Sequence, residues 1–582
     1  MSWYAYAWDP GTDGGYYSQG LTYRFWEQFF NHSKVRPAEA LYAAKLDYIA
    51  DKGFDIWNCT RKNLLEFLYF GDPSIAIYLN RTTEASEWLI NESTVIENQV
   101  LYITQNVTVN STLRIVNSTV YFNSTGFIWM NVTKFGKLEI IDSRLLNLSG
   151  RYSIIAQQGS KLYIDSSSIR GLNPEGDGIL IKTDDVVINN SYIFNSFQSA
   201  SSAYIRAVYL ENCRNITIQN TWIYNNYVGL WAYGCINISI IDVVFEKNHA
   251  RGARIESCSN VSIVGSVFDH NGVFGLNLYY NSNTTVRDTK FYHDQIWILG
   301  SEEQISTLKI INSKKEDKPI VLYFNESNIN IENTDAYGQL IFAYCANITT
   351  NFVQDVVLTF YETNNTLVSN STLTMGDAGV VLWYTKNATV VTSTMAYNEE
   401  GVRILGTEDI LFKGNNIANN SPMGVAVFLA TANIRIEGNE FSNNTYRDLV
   451  FWGGCRFIVI NNNTFTIRYG GTSFYGYYGE ALNITISNNV MDIAEEHEDH
   501  ATAIIFGYTA YTYQNITITN NTINGTYGGI EIWAQQKTDK FITHKNTITN
   551  CHRAILVDKY NESESLIANN TIKFSYYGMF IH

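Results

Sequence analysis

From about residue 85 onward, apolar and polar positions largely alternate in short runs, the period-2 signature of strands with one buried face. Asn215-Ile-Thr-Ile-Gln-Asn-Thr-Trp-Ile-Tyr is one such run. The runs recur. Asn215-Ile-Thr-Ile, Asn237-Ile-Ser-Ile, Asn260-Val-Ser-Ile and Asn283-Thr-Thr-Val step by 22, 23 and 23 residues. Asn387, Asp409, Asn433 and Arg456 open similar runs at steps of 22, 24 and 23, and Lys137, Lys161 and Asp185 at 24 and 24. A repeat of this length marks a solenoid, and it is too short for a propeller blade. Five residues after each Asn come Asn220, Asp242, Gly265 and Asp288, types that tolerate a left-handed backbone at a sharp bend. Gly229, Gly252 and Gly275, themselves 23 apart, read as a second set of bends. Short strands joined by tight bends describe one coil of a parallel β-helix. The expectation is an all-β fold of about 21 coils over residues 83–582, a rod on the order of 100 Å long at one strand spacing per coil.

The N-I-T-I-x-N-N-x-I coils, with Lys318-Pro-Ile-Val-Leu-Tyr-Phe and the run from Tyr337 to Thr349, resemble right-handed parallel β-helix proteins of the NosD-like, carbohydrate-binding and sugar-hydrolase type. The resemblance implies a right-handed coil. It does not choose a function, because this fold carries lyases, hydrolases, binding modules and inert stalks.

Residues 1–82 break the repeat and read as a small α/β segment. Pro37 to Gly53 predicts a helix, with proline in its first turn, a stripe of Leu41, Ala44 and Tyr48, and a glycine stop. A second short helix is expected from Arg61 to Tyr69, before a turn and strand. Ala40, Ala44 and Lys45, followed by Gly71-Asp-Pro-Ser74, resemble the closing segment of gingipain-like cysteine peptidases. In that family the catalytic histidine and cysteine lie upstream of this segment. Neither His32 nor Cys59 can be assigned as a replacement, since thiolate and base must lie within hydrogen-bond reach. The expectation is therefore a fragment that is not a protease alone, with the catalytic half either upstream of Met1 or decayed.

Composition narrows the class. The chain is 45% hydrophobic and 14% aromatic but only 16% charged, which excludes disorder. A net charge of −15 argues against nucleic acid or an anionic membrane surface as partner. No apolar run reaches the roughly 18 residues a membrane span needs. The N-terminus lacks the basic and apolar regions of an export signal. Of seven cysteines, Cys213, Cys235, Cys258 and Cys345 each precede a strand-opening Asn by two residues. They are read as buried repeat positions rather than a disulfide framework or zinc site. About 29 N-x-[ST] sequons occur. Within the coils, Asn215 and Asn237 can serve either as rungs of an amide ladder or as glycan acceptors. Asn31, Asn91, Asn123 and Asn561 lie outside the register and are the better acceptor candidates. The density points to an exported, cell-surface glycoprotein.

Coil-length deviations mark where function sits on a repeat protein. Arg456, Asn483 and Asn515 are 27 and 32 apart, which places insertions near 469–481 and 494–511, expected on one edge. They carry Tyr469, Tyr475 and Tyr477, then Glu495, Glu496, His497, Glu498, Asp499 and His500, then Phe506, Tyr508 and Tyr511. Aromatic faces beside carboxylates suit a sugar ring, and the acidic run could also hold a cation. Asp177, Asp184 and Asp185 resemble part of a pectin-hydrolase constellation whose other elements are missing. Residues 287–317 lack the rhythm and read as a surface excursion. The leading expectation is a surface β-helix that is non-catalytic on this chain and binds polysaccharide or cell-envelope glycan, with no cofactor and no resident metal. The alternatives are a polysaccharide lyase or glycoside hydrolase, and the C-terminal part of a gingipain-like peptidase.

Overall fold

A computed structural model describes residues 87–582, apart from 173–176, 196–204, 430, 494–500, 510–512, 535–537, 559–564 and 582. The helices read over residues 37–53 and 61–69, and the peptidase-like segment, lie outside the described residues. Residues 1–85 and 86–582 separate as two compact units, and the second carries the coils.

One coil illustrates how sequence becomes structure. Its strands are Arg214–Gln219, Trp222–Tyr224 and Val228–Tyr233, which form its first, second and third faces. Ile216, Ile218, Ile223, Leu230 and Ala232 point inward and are fully buried. Each strand pairs in parallel with its equivalent one coil on, so Ile218 stacks on Ile240 and then on Ile263. Identical side chains thus pile up at the strand spacing, and Phe245, Phe268 and Phe291 stack with ring centroids 4.8 and 4.9 Å apart.

The bends fall where the repeat placed them. Asn215, Asn220 and Asn225 have φ of 57, 47 and 56°, the left-handed region that Asn enters at little steric cost. Gly229, Gly252 and Gly275 are not bends. They lie at the start of third-face strands, where a Cβ on Gly229 would come 2.5 Å from the carbonyl oxygen of Gly252. Their constraint is close approach between coils.

Two features depart from the single rod. The chain makes roughly 18 turns rather than 21, and they form two stacks. At Lys314–Lys315 the chain reverses against Lys318–Pro319, an antiparallel pair, and a second parallel stack begins. In the first stack Ile179, Leu230 and Leu276 fill one core; Leu340, Phe342, Phe360, Val380 and Leu382 fill the other. Ile341, Ala343, Tyr361, Val381 and Trp383, from the same strands as the second set, belong to the first core. The last third-face coils of the first stack therefore pack against the first third-face coils of the second. This explains why Gln339–Ala343, Val357–Tyr361 and Ala378–Trp383 are buried at every position instead of alternating. Polar groups at the seam are paired across it: Trp297 Nε1 donates to Asp377 Oδ2 at 2.8 Å, and Tyr361 Oη donates to the Gly300 carbonyl at 2.7 Å. Burial pushes the Asp377 carboxyl up to about 7. It raises Asp294 and Glu399 and lowers the buried Lys315 ammonium.

The segment 287–317 is not an excursion. Lys309–Ile311 and Lys314–Lys315 continue the first and second faces in register. Its irregularity is the short helix Glu302–Ser306 inserted at one corner, started by a Ser301/Gln304 capping box. The rhythm was hidden because Lys315 occupies the inward position that follows Phe291.

The cysteines lie in the expected column. Cys213, Cys235 and Cys258 are buried and free, with the first two sulfurs 3.1 Å apart.

Candidate functional site

The outward positions of the third face in the first stack form straight columns. Tyr209, Trp231, Arg254, Asn277 and Trp297 follow one another on successive coils. Beside them run Glu211, Tyr233, Glu256 and Tyr279. On the other side Asp177 pairs with Arg206. The Arg206 guanidinium donates to Asp177 at 2.6 Å and lies over the Tyr209 ring at 3.7 Å. Arg254 lies 4.3 Å from the Trp231 ring centroid and 5.0 Å from that of Tyr279, and pairs with Glu256 at 2.9 Å. All of these except the buried Asn277 and Trp297 are half-buried or exposed. Burial raises the Asp177 carboxyl, opposed by the Arg206 charge beside it.

The third face of the second stack carries further arginine–aromatic contacts. Arg403, paired with Glu400 at 2.5 Å, crosses the seam to lie over Phe274 at 4.7 Å and Phe428 at 4.9 Å. Farther on, Arg447 sits under Tyr446 and Tyr469 at 5.0 and 5.2 Å and donates to Tyr475 Oη at 2.9 Å. It lies across Gly470, where a Cβ would come 1.8 Å from its Nη1. Its Nε and Nη1 are buried and have no partner, as is the Oγ of Ser473. Next to it Asp448, fully buried, has its carboxyl pushed up to about 8 by desolvation. Arg206, Arg251, Arg254, Arg403, Arg447 and Arg553, all from third-face strands, lie over aromatic rings. A chain of net charge −15 thus places guanidiniums against rings on its third faces, and the open set around Arg206, Trp231 and Arg254 is able to stack sugar rings and fork onto carboxylates.

Of the residues expected from sequence, Tyr469 and Tyr475 are brought together around Arg447. Tyr477 lies in the strand Gly470–Ser487 and Tyr508 in Thr502–Thr509; their side chains are not described. Glu495, Glu496, His497, Asp499 and His500 lie outside the described residues. The two insertions do not share a corner. The first is absorbed within the strand Gly470–Ser487, with register shifts after Phe451, while residues 494–500 precede the third-face strand that starts at Thr502. The aspartate trio is split. Asp177 joins the third-face columns, while Asp184 accepts the Arg214 backbone N–H at 2.8 Å and Asp185 the Asn215 amide at 2.9 Å, both at the first-face bend.

Asn215 and Asn237 are ladder rungs, with the Asn237 amide donating to Asn215 Oδ1 at 2.9 Å. Asn91 is also paired, accepting from Asn110 at 2.9 Å. Asn123 is half-buried. Asn31 and Asn561 lie outside the described residues.

Sequence reasoning missed Arg206, Tyr209, Trp231, Arg254 and Arg447. A signal existed: Tyr209, Trp231 and Arg254 are 22 and 23 residues apart, and the step from Asp185 to Asn215 is 30. That excess falls between Phe194 and Arg206, just before the Tyr209 column.

The family described as "Right handed beta helix region" matches residues 127–291, 178–336 and 296–490, together more than half of the sequence. The chain belongs to this right-handed β-helix family. Several solved structures are distantly similar to it. The Azotobacter vinelandii mannuronan C-5 epimerase AlgE4 A-module is 13% identical, covering 75% of this chain and 91% of its own, at a TM-score of 0.19. The Streptococcus pneumoniae surface protein and adhesin PfbA is 11% identical over 78% and 91%, at 0.21. The catalytic unit of a GH87 α-1,3-glucanase from Streptomyces thermodiastaticus is 12% identical over 80% and 63%, at 0.17. No curated protein gives a significant sequence match.

Proposed function

We propose that this β-helix is an exported carbohydrate-binding protein whose third face takes an acidic polysaccharide lengthwise, without cleaving it. The observation that carries the reading is the column Tyr209–Trp231–Arg254, with Arg206 stacked beside it. Rings spaced by one coil present flat apolar surfaces to successive sugars, and the interleaved guanidiniums supply forked donors for carboxylates. The sequon density supports export. Carboxylates of the third faces are paired with arginine, as Glu256 is with Arg254 and Glu400 with Arg403. Such pairing occupies carboxylates that hydrolysis would need as acid and base across a bond.

The test is affinity electrophoresis and calorimetry against a polyuronate and a neutral glucan, with wild type, Trp231→Ala and Arg206→Ala. The polyuronate is expected to bind, and each variant to bind it ~10-fold or more weakly with an unchanged melting temperature. Equal binding of the neutral glucan, or full binding by both variants, would overturn the reading. One observation favours a catalytic alternative: the Asp177 carboxyl is raised by burial although it touches Arg206. Turnover of the polyuronate that is lost in Asp177→Asn would establish it.

A further inference from the structure

The corner between the second and third faces of the first stack carries Asn225, Lys247, His270 and His293 in succession, all with φ between 49 and 60°. The backbone N–H of each earlier member donates to the coil below, as Lys247 does to the Asp269 carbonyl and His270 to that of Tyr292. Two consecutive imidazoles in this column stack with centroids 4.0 Å apart and planes 28° from parallel. Asp269, adjacent in sequence, places Oδ1 2.5 Å from His270 Nδ1. A ligand atom from each of Asp269, His270 and His293 lies within 4.8 Å of the others, a spacing that modest side-chain rotation closes onto one ion. The next coil adds a fourth oxygen: Glu316 Oε1 accepts the His293 backbone N–H at 2.6 Å and lies 3.9 Å from its Nδ1. Both imidazole side chains are open, at 53% and 46% exposure, so an ion can enter without unfolding.

We propose that Asp269, His270 and His293, with Glu316 in reach, form a surface site for a borderline divalent cation of the zinc class. Two imidazole nitrogens and one or two carboxylates on a rigid frame match that class, whereas calcium and magnesium demand an oxygen shell. The ligands come from successive coils, so a bound ion cross-links them and stabilises the stack by mass action. Water completes the shell. This site is independent of the polysaccharide reading, since it lies at the corner between the second and third faces and shares no residue with the Trp231 column.

The experiment uses the full chain stripped with a chelator, titrated with zinc chloride by calorimetry and melted with and without zinc. Wild type is expected to bind zinc and to melt higher in its presence. His270→Ala/His293→Ala is expected to bind zinc ~100-fold or more weakly and to lose the shift while keeping the zinc-free melting temperature. His497→Ala/His500→Ala, which removes the imidazoles of the acidic run, is expected to bind zinc as wild type does. Calcium at the same concentration is expected to leave the melt unmoved. Absence of zinc binding, or binding that survives loss of His270 and His293, overturns the proposal. So does a zinc effect abolished only by the His497/His500 pair.

Discussion

The side-chain amide of Asn444 donates to Asp448 Oδ1 at 2.8 Å, and this bond ends a buried ladder in which Asn398 donates to Asn420 and Asn420 to Asn444. In the first stack the amides of Asn226, Asn248 and Asn271 end on Asp294 in the same way. Each ladder thus finishes on an acid that burial favours in its neutral form.

A pH dependence follows from Asp448. Its carboxyl moves from an ordinary 3.8 to about 8 in the fold, so the folded state holds a proton that the unfolded chain has released. The associated stability is fully present below pH ~4 and is lost as pH rises to about 8, at roughly 1.4 kcal/mol per pH unit. Asp448→Asn should flatten this slope, and should gain more at pH 8 than at pH 4. Denaturant midpoints at pH 4, 6 and 8 measure it, and parallel profiles for the two proteins would refute it.

A separate buried ladder of the second stack, through Asn439, Asn463, Asn489 and Asn521, should be costly to interrupt. Asn463 Oδ1 accepts from both the backbone N–H and the amide of Asn439, at 2.8 and 3.0 Å, while its own amide donates to the Ile436 carbonyl and to Asn489. Asn463→Ala strands several buried groups at about 1–3 kcal/mol each. A loss of at least ~2 kcal/mol in urea unfolding is expected; a change within measurement error would show that water replaces the rung.

Two glycines should respond differently to the same methyl group. A Cβ on Gly252 meets the Gly275 carbonyl at 2.7 Å and the Asn271 amide at 2.9 Å, whereas on Gly470 it meets the end of Arg447. Backbone cannot step aside and a guanidinium can. Gly252→Ala should lower the melting temperature by several degrees, about 1–3 kcal/mol. Gly470→Ala should melt nearly as wild type but bind a polyuronate more weakly, because Arg447 is pushed off Tyr475. The reverse ranking in a melt would contradict this.

Glycan mapping in a glycosylating host should find Asn215, Asn237, Asn260 and Asn283 bare. Their amides are tied rung to rung at 2.9, 3.1 and 3.2 Å, and rungs one strand spacing apart leave no room for neighbouring glycans. Occupancy at two consecutive rungs would show that the ladder opens.

The coil was legible in the sequence because its cause is local. A bend needs a residue that accepts positive φ, a strand needs period-2 alternation, and stacking makes both recur every 22–24 residues, so Asn215, Asn220 and their copies announce themselves. Tyr209, Trp231 and Arg254 were legible by the same arithmetic once the coil length was known. The pairing of two stacks was decided only in three dimensions. Continuous apolar runs such as Gln339–Ala343 say that both sides of a strand are buried, but not what covers the second side. Trp297 and Asp377, 80 residues apart, meet because the chain reverses at Lys315 and lays the first third-face coils of the second stack on the last of the first, and no periodicity within a strand encodes that reversal.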